Sequence, residues 1–465
     1  MKVGVIGAGP AGLTAAYELS KRDGVHVEVF EASDRVGGLC RTLSLWGLKV
    51  DLGPHRFFSK DPRVNALWHE AAAGRCAGVD RLTRIYYGGK FYNYPLKMGN
   101  VLRNLGIVEA ARCALSYLAM QVAPVGDDAT FEGWVARRFG WRLYDKYFKA
   151  YSEKLWGIPC SELDADFAAQ RIKKFSMLEA AKAMVLENRE RHATLVDRFD
   201  YPLDGAGQVY EAMCGDIQKR GGVVRLQTPV RRVVLEGGGA AGVELEDGSV
   251  RRFDRVVSSM PLTRLIDGMC PVPEEVVRAS GQLRFRNTVL VYLLLDGCGL
   301  FPDNWIYVHA KEARCGRITN FRNWVPELYG ASRQTVVALE YWCYDGDELW
   351  HDDDSRLIAL AGEELETIGI TRDAPVVCGH VERLPMSYPV YFKRYREPLG
   401  VIEAYLKTIP NLSVIGRYGA YKYNNQDHSI LMGLLAAREI ALGEPHDLWK
   451  INTDDEYQED GEIQK

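Results

Sequence analysis

The spacing of apolar residues changes period several times along the chain, and the changes mark out its elements. Val3, Val5 and Ile6 read as a short buried strand, which the run Gly7-Ala8-Gly9-Pro10-Ala11-Gly12 interrupts. Leu13, Ala16, Tyr17 and Leu19 then recur at helical spacing, and Val25-His26-Val27-Glu28-Val29-Phe30 predicts a second strand ending at Glu31. Val50 to Phe57 reads as a strand running into a Gly53-Pro54 loop. Residues 60–72 look helical, and residues 83–94 predict two short strands around a Gly88-Gly89 turn. From about 97 to 190 the pattern is helical. Phe199–Gly207 reads as a loop, followed by a helix to about Arg220 and then a strand, a three-strand meander and a last short strand to Ser259. Residues 284–345 carry several strands, 352–368 a helix and Pro375–Leu384 another strand. Finally Leu412–Ile415 enters a glycine loop, and Asp427-His428-Ser429 is expected to cap a helix from Ile430 to about Leu442. No internal repeat is present.

The first forty residues carry the clearest chemistry. In a strand–turn–helix setting Gly7 makes the tight turn, Gly9 lets backbone approach a pyrophosphate, and Gly12 lets the helix pack on the strand. The phosphates would meet the positive end of the helix. Glu31, 24 residues after Gly7, suits an adenosine ribose. Arg35, Gly37 and Gly38 follow, a second place for backbone to lie against a dinucleotide, and Arg41 offers a cation to a phosphate or an aromatic ring. His55 lies in a loop between these motifs, where a structural role and one facing a cofactor ring are equally open. Val230 would lie near an adenine, and the Gly416-Arg417 loop suits a flavin's pyrimidine end or ribityl chain. Such segments at the start, middle and end of the chain fit FAD threaded through an interleaved domain better than a simple NAD enzyme. The expected fold is therefore α/β. A Rossmann-like FAD-binding domain (1–95, 200–280 and 400–445) is interleaved with a helical insertion (96–199) and a substrate domain built on a second mixed or antiparallel sheet (281–399). An acidic tail, 446–465, is expected to be disordered.

Composition narrows the partners. A formal net charge of −4 argues against nucleic acid. The ten cysteines form no C-x-x-C pair, so neither a zinc site nor a disulfide framework is indicated, and a reduced, cytoplasmic setting is expected. Met1-Lys2-Val3 opens directly on a strand, so no signal peptide is expected. No uncharged run reaches the ~20 residues of a membrane span; the nearest, Cys113 to Val125, reads as a core or substrate-domain helix. No metal-ligand cluster, G-x-S-x-G elbow or P-loop lysine is seen, which leaves the chemistry to the flavin.

Gly7 to Gly12 together with Arg35-Val36-Gly37-Gly38 resembles the amine oxidase and protoporphyrinogen oxidase superfamily of flavoproteins. Within it the chain is most similar to the UDP-galactopyranose mutase branch, along nearly its whole length and more weakly around 100–135 and 345–385. Gly53-Pro54-His55 resembles that family's histidine loop beside the flavin, and Tyr92-Asn93-Tyr94-Pro95-Leu96 its aromatic-asparagine-proline segment. Tyr151 to Gly157 resembles the segment whose tyrosine and tryptophan, here Tyr151 and Trp156, hold a uracil. Leu283-Arg284-Phe285-Arg286 resembles the segment bearing a diphosphate-binding arginine, here Arg286. Thr335 to Tyr341 and Tyr388-Pro389-Val390 also fit. In the closing Gly416–Tyr423 motif the resemblance puts Arg417 at the flavin and Tyr423 at the diphosphate. The chain departs from the mutases in three places. A clamp arginine gives way to Arg171-Ile172-Lys173-Lys174-Phe175, where Lys173 is the candidate substitute. A glycine-tyrosine reads Gly205-Ala206, and an aspartate reads Asn425.

The resemblance implies a FAD-dependent sugar mutase in which reduced flavin N5 acts as nucleophile on the anomeric carbon of a nucleotide-diphosphate sugar. His55, Arg286, Arg417 and Tyr423 would be catalytic, and Tyr94, Tyr151, Trp156, Lys173 and Asn425 would bind substrate. NAD(P)H is a candidate reductant and a homodimer a candidate assembly. The alternatives are a FAD-dependent oxidase or dehydrogenase of the amine oxidase or protoporphyrinogen oxidase type, and a flavoprotein with a binding role only.

Overall fold

The computed structural model describes residues 1–94, 98–172 and 198–452. Its cofactor half is built on a five-stranded parallel sheet in the order Leu412–Val414, Arg255–Ser258, Lys2–Ile6, His26–Phe30, Val223–Arg225. Helices pack on one face, over Val3 and Val5, and the antiparallel meander described below packs with Phe253 on the other, over Gly4, Ile6 and Phe30, so the strands are apolar on both sides. Helix Pro10–Ser20 lies against helix Gln426–Leu442, which brings the first and last parts of the chain together. The predicted meander is present as an antiparallel sheet of Val230–Glu236, Gly239–Leu245 and Val250–Arg252.

The second half is a seven-stranded mixed sheet: Val376–Pro389, Phe285–Leu295, Thr335–Cys343, Arg317–Asn320, Trp305–Val308, Thr83–Tyr87, Lys90–Asn93. Phe285–Leu295 is buried along almost its whole length, as a strand covered on both faces must be. The hairpin at 83–93, placed by its position in the chain with the cofactor segments, joins this sheet through parallel pairing with Trp305–Val308. Helices Met98–Leu105, Ile107–Val122, Phe131–Phe139, Ala150–Trp156 and Ala165–Ile172 form the insertion.

Three local readings change. The Phe199–Gly207 segment is a loop only in its second part. Arg198–Pro202 is a strand paired with Cys76–Asp80, its buried Phe199 and Tyr201 alternating with half-exposed Asp200. Residues 42–51 form a hairpin, Thr42–Leu45 with Leu48–Asp51. The last helix starts at Gln426, capped by Asn425 in a reciprocal arrangement with His428, so Asp427 and Ser429 lie in its first turn. Within the tail, Leu448–Lys450 forms a short 3-10 turn with Leu448 buried, while 453–465 lie outside the described residues. Among the described residues no helix is long and apolar enough to cross a membrane.

Candidate active site

A cavity of about 940 Å³ runs from the carboxyl ends of the parallel strands to the inner face of the seven-stranded sheet. Open α/β sheets place ligands in such crevices. Gly7, Gly9, Glu31, Gly38, Arg41 and Val230 line one end, and His55, Tyr94, Arg317, Tyr388, Arg417 and Tyr423 the other.

The first end is a backbone cradle. Gly7 has φ 93°, and a Cβ there would lie 2.3 Å from Ser259 Oγ. Gly38 has φ 54°, and a Cβ there would lie 3.1 Å from Gly9 Cα, so two stretches of bare backbone meet across the site. Helix Pro10–Ser20 begins at Gly9 with no side-chain cap and no acidic residue in its first turn. Its free N–H groups and dipole therefore point at the cavity. Glu31 is fixed by hydrogen bonds: Ala8 N–H donates to Oε2 at 2.7 Å, and Ser33 N–H and Oγ donate to Oε1 at 2.9 and 2.7 Å. Arg41 Nε donates to Gly38 O at 3.1 Å. This donor-rich, side-chain-free cradle beside a positioned carboxylate fits the diphosphate and ribose of a dinucleotide. Gly12 packs beneath it, a Cβ there lying 2.0 Å from Gly7 O. Arg35 does not line the cavity: its half-exposed side chain sits 3.8 Å from Asp34, because the turn at Gly37 carries it to the surface.

The other end holds cations and phenols. Arg417 donates to Ser387 O and Asn424 O, both at 2.8 Å, with its guanidinium 4.6 Å from the rings of Tyr388 and Tyr423. Arg317 donates through Nε to Glu340 Oε1 at 2.7 Å. Its side chain is 16% exposed and that of Glu340 2%. Burial opposes the Arg317 charge, but Glu340 and the phenols of Tyr388 and Tyr151 outweigh it and hold the guanidinium well above its ordinary pKa. Burial, aided by the cations Arg317 and Arg417, pulls His55 down to about 3, so the imidazole is neutral. Its Nδ1 is buried with no hydrogen-bond partner among the described residues, so it is open to a polar ligand atom. Asn425 and the helix start at Gln426 complete this wall.

Three residues expected to touch substrate do not line the cavity. Arg286, 4% exposed, is absent from the lining although Thr288, two residues on, is part of it; a register shift against Val376–Pro389 separates the two. Its Nη2 donates to Trp342 O at 2.6 Å and Lys154 O at 3.3 Å, its Nε donates to Leu155 O at 3.3 Å, and its guanidinium lies 4.3 Å from the Tyr344 ring. It binds carbonyls near the end of helix Ala150–Trp156, a favourable place for a cation. Trp156 is fully buried, against Phe167 and behind Tyr423. Tyr151 stacks on His309 at 4.6 Å and meets Tyr307 edge-on at 5.7 Å, one layer behind the lining. Lys173 lies outside the described residues. The main omission from the sequence reading is Arg317. It sits directly across from Glu340 in antiparallel register, and opposite charges in two otherwise uncharged, buried strands are the signal that marks it.

Residues 10–441 match the model of the flavin containing amine oxidoreductase family. A coproporphyrinogen III oxidase of Mycobacterium tuberculosis is 24% identical over 441 residues, 89% of this chain and 92% of that protein. A crystal structure of reduced UDP-galactopyranose mutase superposes with a TM-score of 0.83 at 22% identity, covering 95% of each chain. That of a putative protoporphyrinogen oxidase from Exiguobacterium gives 0.74 at 18%, covering 95% of this chain and 99% of that one. Both structural likenesses are of fold. The cradle at Gly7–Gly12, the cavity it opens into and the match over most of the length agree: the chain belongs to the flavin containing amine oxidoreductase family, as a divergent member.

Proposed function

We propose that the chain acts on a nucleotide-diphosphate sugar at its anomeric carbon, interconverting ring forms or making a related redox-neutral change. The observation that carries this reading is the charged end of the cavity, where Arg317 and Arg417 stand among Tyr94, Tyr388 and Tyr423. A diphosphate leaving from the anomeric carbon needs fixed cations and phenolic donors in a low-dielectric setting. Bound flavin supplies either a nucleophile, when reduced, or a hydride acceptor, when oxidised. Glu340 fixes the Arg317 fork, His55 adds a hydrogen-bonding atom without adding charge, and Asn425 stands at the mouth of the last helix. NAD(P)H is the proposed reductant.

A second reading, oxidation of a porphyrinogen or amine, is favoured by the 24% identity with the mycobacterial oxidase and by the absence of Arg286 and Trp156 from the lining. One experiment separates the two. FAD-loaded protein is incubated anaerobically with UDP-galactopyranose and other nucleotide sugars, with and without dithionite, and in parallel with coproporphyrinogen III in air. Ring-isomerised product that appears only after reduction, with no net flavin oxidation, is expected. Turnover of the porphyrinogen with oxygen consumption, and none of the sugars, refutes the mutase reading.

A further inference from the structure

Outside the cavity, a thiol, an imidazole and a carboxylate stand in a row at the surface. Cys76 Sγ lies 3.8 Å from His69 Nδ1, and His69 Nε2 lies 3.3 Å from Asp200 Oδ2. Three elements bring them together: the first residue of strand Cys76–Asp80, the last turn of helix Pro62–Ala72 and the middle of strand Arg198–Pro202. The ring of His69 is set edge-on against Trp68 at 5.2 Å and Phe57 at 6.3 Å, two buried aromatics that are themselves stacked. Asp200 in turn is tied to Phe57 by backbone hydrogen bonds in both directions. The cluster is open to solvent: the side chains of His69 and Asp200 are 46% and 42% exposed, and Cys76 is half-buried.

We propose that Cys76 is a peroxide-reactive modification site, with His69 as its base and Asp200 orienting that base. Asp200 favours the tautomer that keeps the ring proton on Nε2, which leaves Nδ1 as the acceptor facing the thiol. Burial and the Asp200 charge hold the thiol above its ordinary pKa, so the sulfur rests as S–H and needs that acceptor to become a nucleophile. The imidazolium that forms is favoured twice, by Asp200 and by the carbonyl end of helix Pro62–Ala72. Sulfur attacks one oxygen of hydrogen peroxide, and an S–O bond forms as the O–O bond breaks. The thiol proton passes by way of Nδ1 to the departing oxygen, which leaves as water. Sulfur is oxidised to the sulfenic acid and the peroxide is reduced. This shuttle selects a peroxide over a disulfide as the reactant, because hydroxide is a far poorer leaving group than a thiolate and depends on the returned proton.

Peroxide titration of the full, FAD-loaded chain, with dimedone as the sulfenic-acid trap and site-resolved mass spectrometry, tests this. Cys270 and Cys298, exposed thiols outside the cluster, are the internal references. Cys76 is expected to be trapped at least about tenfold faster than either reference. His69→Asn is expected to bring Cys76 down to the reference rate, and Asp200→Asn to slow it in part. The rates at Cys270 and Cys298, the flavin content and the melting temperature should stay as in the wild type. A Cys76 no faster than the references overturns the proposal, as does an unchanged Cys76 rate in His69→Asn. Selective capture of Cys76 by oxidised glutathione, without selective reaction with peroxide, assigns the thiol to disulfide exchange and overturns it too.

Discussion

The Arg317–Glu340 pair offers the sharpest test of how the site is held together. Its members face each other across antiparallel strands, joined by paired hydrogen bonds, with 16% and 2% of their side chains exposed. Glu340→Gln keeps the shape and removes the charge, leaving a buried guanidinium uncompensated. Breaking such a pair from one side costs about 3–5 kcal/mol, whereas replacing both members with apolar groups is close to neutral. At roughly 2.1 cal/mol/K per residue, the unfolding entropy of 465 residues is on the order of 1 kcal/mol/K, so Tm should fall by about 3–5 °C. Arg317→Met is expected to cost a similar amount, and Arg317→Met/Glu340→Leu should recover most of the loss. The assay is a double-mutant cycle by thermal and denaturant unfolding. Single variants that each cost under ~1 kcal/mol, or a double variant whose loss is the sum of the two, would show that the pair does not anchor the sheet.

Three further outcomes follow from the same geometry. Gly12→Ala puts a Cβ 2.0 Å from Gly7 O, so the purified variant should lose its flavin absorbance; retained stoichiometric FAD would refute the packing role of Gly12. His55 and His309, both held neutral mainly by burial with folded-state pKa values of about 3, bind fewer protons folded than unfolded between the ordinary pKa of 6.5 and 3. Stability is therefore intact above pH ~6.5 and falls as pH drops through that window, and His309→Phe should make the acid limb of a stability–pH curve shallower; an unchanged slope counts against it. The three N–H of Lys154 Nζ are shared among the carbonyls of Val308, Ala310, Ala313 and Cys315, 2.8–3.1 Å away, so Lys154→Met removes the donor these carbonyls converge on. It should cost about 1–3 kcal/mol and speed amide exchange selectively across 309–316; uniform exchange would contradict this.

How far the site can be read from the residue string depends on the range of the interaction that makes it. Gly7, Gly9 and Glu31 are legible because turn, helix start and strand end lie within one βαβ unit, and the chemistry at each place is set by its neighbours. His55, Tyr94, Arg417 and Tyr423 reach the cavity from motifs that carry them as a group. Arg286 is different. Its segment is recognisable, but a register shift against Val376–Pro389 falls between Arg286 and cavity-lining Thr288, and the guanidinium is taken by the carbonyls of Lys154, Leu155 and Trp342, contacts set only by the tertiary fold. Arg317 was hidden for the complementary reason: its partner is 23 residues away and becomes a neighbour only through register. The same limit explains the 83–93 hairpin, whose parallel partner, Trp305–Val308, is more than two hundred residues downstream.

The parallel sheet has a consequence for how the protein is made. Its edge strand, Leu412–Val414, pairs with Arg255–Ser258, and the loop that follows supplies Gly416, Arg417 and Tyr423. On the ribosome the Gly7 turn emerges about 400 residues before the wall opposite it, which exists only after residue 426 has left the exit tunnel. Between these two points the nascent chain carries an unfinished binding crevice and, from residue 258 to residue 412, an unpaired strand edge. The cofactor crevice is therefore complete only after residue 426 is made, and until Leu412–Val414 is added the edge of Arg255–Ser258 stays open to mispairing.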